Sequence, residues 1–177
     1  MAYGVGLRFD ETTEKQVIDV WRQLSALGVT TALSRDGYFP HVSMILSETL
    51  QVDAFINEIS QALKAVAKIQ LHFSSVSLFA QPDIVLYYGI TPTTALLGLH
   101  TLSYEVYYKH ATKLNQLYLP EAWVPHCGLA IRIDEEKLKA SIDIARTIRL
   151  PYSAQSVEYV IVEHDGQRAE VLQSFQV

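Results

Sequence analysis

The chain of 177 residues has one cysteine, Cys127, so no intrachain disulfide is available to hold it together. Stability has to come from packing, which suits a reducing compartment. The opening MAYGVGLRFDE lacks the basic segment and apolar stretch of a secretory signal. No run approaches the roughly 18–20 apolar residues that a membrane-spanning helix needs. The expectation is a cytoplasmic protein with no membrane association. Basic residues are also scarce, 14 against 19 acidic ones, and the net charge is −5. Without a lysine–arginine tail or stripe, a broad grip on duplex DNA is excluded. A small anion, or the end of an RNA, can still bind in a local cleft. The GxxxxGK[ST] pattern and other phosphate-cradling glycine loops are missing too, which argues against a nucleoside triphosphate site.

What is present is an ordinary globular composition, 49% hydrophobic and 19% charged, in a length that suits one domain. Residues 3–9 (YGVGLRF) read as a strand. Asp10, Thr12 and Thr13 then offer helix caps, and Val17, Val20, Trp21, Leu24 and Leu27 recur at helical spacing before Gly28. HVSMILS at 41–47 alternates as a strand, with Val42, Met44 and Leu46 on one face and His41, Ser43 and Ile45 on the other. A second helix carries Val52, Phe55, Ile56, Ile59, Leu63 and Val66, and residues 69–79 are strand-like.

The same order then returns. Residues 83–90 (DIVLYYGI) form a strand, and a long helix is expected from about 93 to 117. HCGLAIRI at 126–133 follows, placing Cys127, Leu129, Ile131 and Ile133 on one face and His126, Gly128, Ala130 and Arg132 on the other. Asp134 caps a helix with Leu138, Ser141, Ile142 and Ala145 as its inner stripe. Strands at 157–163 and 169–175 close the chain. Each half, 1–82 and 83–177, reads strand–helix–histidine strand–helix–strand. FPHVSM matches VPHCGL by residue type, IQLHFS matches IRLPYS, and the two histidines lie 85 residues apart. We read an internal duplication within one two-lobed α/β (α+β) domain, whose related halves face each other across a central groove. Ordinary βαβ periodicity with two unrelated Pro-His pairs is the alternative.

A lone histidine says little, because an imidazole with a pKa near 6.5 serves equally in catalysis or in a satisfied structural position. Two at matching places in a repeat say more. One neutral imidazole can take a proton from an attacking hydroxyl or water, while the other, protonated, gives one to a leaving oxygen. That division of labour suits hydrolysis of a phosphodiester, especially a cyclic one. Period two puts Ser43 on the face of His41, where its hydroxyl can donate to a phosphoryl oxygen or be an ordinary polar strand residue. Gly128 stands at the equivalent place beyond His126 and has no side-chain donor. Cys127 points away from His126 and makes a poor nucleophilic partner.

With these motifs the sequence resembles the two-histidine phosphoesterase superfamily, which includes RNA ligase-like and cyclic phosphodiesterase proteins. Its signature is two copies of histidine–any–serine/threonine–apolar, one per lobe. HVSM at 41–44 matches in full, whereas HCGL at 126–129 has glycine in the hydroxyl position. The resemblance spans essentially the whole chain. It implies a duplicated fold with antiparallel-rich sheets around a groove and helices outside. His41 and His126 would be the acid/base pair and Ser43 a phosphate donor, opening a 2′,3′-cyclic phosphate on an RNA end or nucleotide, often to a 2′-phosphate, without metal or cofactor. A binding module that kept the groove but lost chemistry is the alternative, and Gly128 is its best argument.

Other candidates have two readings each. Tyr38, Phe39 and Trp123 precede the histidine motifs and can stack on a base or pack between lobes. Tyr152 can line the groove or pack, and Arg35 can reach a phosphate or sit in a solvated turn. Arg132 lies too far along its strand for the same phosphate. His72, His100, His110 and His164 are expected to be structural, and the Tyr104, Tyr107 and Tyr108 patch to pack within the fold. The implied partner is a small cyclic phosphodiester, a nucleotide or an RNA end, and a monomer is expected.

Overall fold

The computed structural model describes residues 1–177, the side chain of Leu33 apart. The strand at residues 3–9 becomes β1 (Ala2–Phe9). Asp10 then caps α1 (Glu11–Ala26), its carboxylate accepting from the Thr13 amide at 3.0 Å. The apolar stripe of α1 is buried at Val17, Val20, Trp21 and Leu24. The helix stops before Gly28, whose φ of +75° suits a residue without Cβ. The histidine strand β2 (His41–Leu50) follows, then α2 (Val52–Leu63), which buries Phe55, Ile59 and Leu63 at one-turn spacing. Each of these three contributes about 1.5–3 kcal/mol by leaving water. The first half closes with β3 (Gln70–Phe79).

The second half runs β4 (Val85–Ile90), α3 (Thr94–His110), β5 (Ala111–Leu114), β6 (His126–Ile131), α4 (Glu135–Ala145), β7 (Tyr152–His164) and β8 (Ala169–Gln176). The long helix expected over 93–117 is therefore too long. It ends at His110, and residues 111–114 turn into an edge strand that pairs with β2 between Ser47 and Leu50. The tyrosine patch also divides. Tyr107 is fully buried and hydrogen-bonded to Ser47, whereas Tyr108 is 63% exposed.

All strand pairs are antiparallel, in the order β5-β2-β1-β7-β3-β4-β6, with β8 also on β7. The long strand β7 joins two sheets: residues 152–155 pair with β3, and residues 156–164 pair with β1. The sheets thus exchange a strand, β3 lying beside β4 and β7 beside β1. Among the described residues no helix is long and apolar enough to cross a membrane.

Both histidine strands carry an irregularity at the same place. In β2 the register passes from Gly6↔Ser43 to Val5↔Ile45, skipping Met44. In β6 it passes from Tyr87↔Gly128 to Leu86↔Ala130, skipping Leu129. Each skipped residue is the third after its histidine. A bulge of this kind reverses the alternation beyond it, which corrects the simple period-two reading. Ile45 is buried and Leu46 faces the groove, while in β6 Ile131 joins Leu129 and the buried Ala130 in the groove lining. Arg132 leaves the strand at φ +54° and pairs with Asp83.

Candidate active site

The strands β2 and β6 meet beside a groove of about 320 Å³, within the range of small-molecule sites. His41 and His126 both line it, each as the first residue of its strand. The two imidazoles are fixed in the same way. His41 Nδ1–H donates to the Phe39 carbonyl at 2.7 Å, and His126 Nδ1–H donates to the Val124 carbonyl at 2.6 Å. A ring tethered through Nδ1 presents Nε2 for proton transfer. Burial pushes both imidazoles below the usual histidine pKa, and a charge on His126 further lowers that of His41. Gly6 gives His41 its room: a Cβ there would meet the Val42 carbonyl at 2.8 Å and the His41 ring at 3.4 Å.

Beyond the tether the halves differ. His41 Nε2 lies 2.9 Å from the Ser43 hydroxyl, which donates to it when the ring is neutral. Ser43 and Tyr118 both line the groove wall. Gly128 offers nothing comparable, and among the described residues His126 Nε2 has no hydrogen-bond partner. A Cβ at Gly128 would meet nothing within 4 Å, so the missing hydroxyl is not imposed by crowding. The Cys127 thiol is fully buried and pushed up to about 12 by burial, which leaves it protonated and inert.

Two tryptophans lock the second residue after each histidine. Trp21 Nε1–H donates to the Gly128 carbonyl at 3.0 Å, and Trp123 Nε1–H donates to the Ser43 carbonyl at 2.9 Å. Trp123 therefore does not flank a base as one reading had it. It is 8% exposed and stacks on His100, ring centroids 4.0 Å apart. His100 in turn reaches the Met44 and Tyr118 carbonyls at 3.0 and 3.1 Å, tying the β2 bulge to the turn that carries Tyr118.

Of the other candidates, Arg35, Tyr38 and Phe39 line the groove. Tyr152 does not; its hydroxyl lies 3.0 Å from that of Thr13 and its ring packs on Phe73. His72 and His110 are engaged with Ser153 and Glu58, away from the groove. His164, read as structural, lines the groove. The strand assignment ended one residue short of it, at 163, although continuing its alternation would place Val160, Val162 and His164 on one face. Tyr118 lies in a short turn, Gln116–Tyr118, just past the expected helix, and Trp21 was hidden by its helical spacing, which reads as core. The lining has no carboxylate among the described residues, despite the net negative charge of the chain.

The fold is shared with solved structures. A phosphoesterase is 12% identical with a TM-score of 0.60, over 99% of this chain and 98% of that one. LigT of Escherichia coli, solved with 3′-AMP, is 13% identical with a TM-score of 0.60, over 99% and 97%. Usb1 of Kluyveromyces marxianus, solved with uridine monophosphate, is 15% identical with a TM-score of 0.51, over 97% and 96%. At such identities the likeness is one of fold. Curated proteins yield no sequence match. The family model described as the 2′-5′ RNA ligase superfamily matches residues 10–168, most of the chain. With both histidine strands inside that span, the chain belongs to the 2′-5′ RNA ligase superfamily.

Proposed function

We propose that the protein is a cyclic phosphodiesterase that opens a 2′,3′-cyclic phosphate on an RNA end or nucleotide, yielding a 2′-phosphate. The observation that carries this reading is the matched pair of imidazoles, each tethered through Nδ1, facing one groove that lacks carboxylates among the described residues. An anionic phosphate there meets no like charge from the lining. Its own charge offsets the burial that otherwise disfavours an imidazolium, so one ring can hold the proton the reaction needs.

Water attacks phosphorus while one imidazole takes its proton at Nε2. The other, as imidazolium, gives its Nε2 proton to the departing ribose O3′. The P–O3′ bond breaks, the ring opens, and phosphorus keeps the new oxygen as a 2′-monoester. Ser43 and Tyr118 supply hydroxyl donors to the nonbridging oxygens. That 3′-AMP and uridine monophosphate occupy structures of the same fold supports a nucleotide ligand.

The test is product-resolved hydrolysis of 2′,3′-cyclic mononucleotides and cyclic-phosphate RNA ends in the presence of chelator. His41→Ala and His126→Ala should each lower kcat by roughly 10²–10⁴ while the fold persists. Wild-type turnover by both folded variants would overturn the acid/base assignment.

A further inference from the structure

The far end of the groove, away from the histidine pair, has its own chemistry. Across β2, β1 and β7 the groove-facing residues fall in rows: Ser43 with Gly6 and Val160, then Leu46 with Gly4 and Val162. His41 stands opposite Arg8 at one end of β1, and His164 opposite Ala2 at the other. Six residues of strand separate the two ends, about 20 Å between backbones. The His41 ring leans toward Ser43, along the groove from its end, and His164 lines the same groove. Between them the floor is apolar: two glycines, Val160, Val162 and Leu46.

Arg35 and His164 both line this far end. Arg35 is held over the Tyr38 ring at 5.3 Å and has no carboxylate partner among the described residues. Its place is built by its neighbours. Asp36 donates its amide to the Gln167 carbonyl at 2.9 Å and accepts from the Ala169 amide at 2.8 Å. Gly37 turns at φ +73° against the Ala169 carbonyl, where a Cβ would collide. This backbone zipper fixes the 35–37 turn to the β7–β8 hairpin beside His164. The nearby carboxylates are already engaged, Asp36 with Arg168 at 3.7 Å and Asp165 with the amides of Gln167 and Arg168 at 2.8 Å each. His164 Nδ1 is shielded from solvent without a hydrogen-bond partner, a costly state for a ring nitrogen.

We propose that Arg35 and His164 form a second phosphate subsite, so that the substrate is a nucleoside cyclic phosphate bearing a further phosphate on the other side of its ribose. The inference rests on the hydrolytic reading above. The apolar floor, with Tyr38 and Phe39 on the wall, takes the nucleoside between the two phosphates. The second phosphate is either a terminal 5′-phosphate or the linkage to a preceding nucleotide.

The test compares kcat/KM for cytidine 2′,3′-cyclic phosphate, its 5′-phosphorylated form, and a dinucleotide ending in the same cyclic phosphate. The wild type should favour one or both extended substrates by about tenfold or more, the scale of a charge-assisted hydrogen bond. Arg35→Gln and His164→Asn should each pull that ratio toward one. Preference for the 5′-phosphate alone assigns a terminal phosphate, and for the dinucleotide alone an internucleotide one. A wild-type ratio near one for both, or a ratio that survives Arg35→Gln, overturns the proposal. If no cyclic substrate turns over, the Kd ratio of cytidine 3′-phosphate to cytidine 3′,5′-bisphosphate decides. An Arg35-dependent ratio upholds the subsite while the hydrolytic reading fails, and a ratio of one overturns the subsite.

Discussion

Ser43 and Gly128 occupy matching places after two identically tethered histidines, and only one of them has a hydroxyl. The space at Gly128 is open, so Gly128→Ser should fold normally and add a second donor to the phosphate. Its kcat toward cyclic substrates should rise severalfold, up to about tenfold for one added hydrogen bond. A lower kcat in a folded Gly128→Ser protein would show instead that a ligand group needs that space. The tethers also bear on pH. Burial is the main cause lowering both imidazoles, and turnover needs one ring protonated and the other neutral. The maximum of kcat/KM then lies between two lowered values, on the acid side of about pH 6.5. A pH–rate profile peaking above 7 would sink that assignment. At this scale the sequence was informative because matched residues in a repeat identify one another. Tyr118 has no counterpart in the repeat, and nothing local marked it.

The elements that carry the site are shaped by features a regular pattern does not encode. Period two placed His41 with Ser43 and His126 with Gly128 on one face, and failed beyond the bulges at Met44 and Leu129. The bulge in β2 depends on a partner from another element, for the Met44 carbonyl is taken by His100 of α3. Residues 111–114 were misread for a similar reason, since pairing with β2 gives their backbone a strand partner that local propensity cannot foresee. His100→Phe can keep the stack on Trp123 but leaves the Met44 and Tyr118 carbonyls without their imidazole donor. The cost should be about 1–3 kcal/mol, read from urea unfolding. Because Tyr118 lines the groove, KM for the cyclic substrate should rise as well. A stability loss with unchanged kinetics would limit His100 to a structural role.

At the scale of the molecule, the groove is lined from both sheets, by β1, β2 and β7 of one and by β4 and β6 of the other, a placement that neither half of the sequence specifies alone. The overall charge of −5 likewise conceals a groove free of carboxylates among the described residues. Four histidines share a consequence of this burial. His41, His100, His126 and His164 all have their pKa lowered, with desolvation the first cause in each. Unfolding exposes them to water, where they titrate near 6.5. Between the folded and unfolded values the unfolded chain binds more protons, so stability rises with pH. Stability is thus fully present above about pH 6.5 and declines as pH falls through the lowered folded values. This loss should precede that from the carboxylates Asp10, Glu58 and Asp165, whose pKa values lie below the ordinary acidic range. The urea midpoint should therefore hold from pH 8 to 7 and fall between pH 6.5 and 5. An anion in the groove favours protonated rings and binds only the folded state, so saturating phosphate should flatten the decline. A midpoint that stayed level down to pH 5 without phosphate would mean that these histidines are not desolvated as the packing requires.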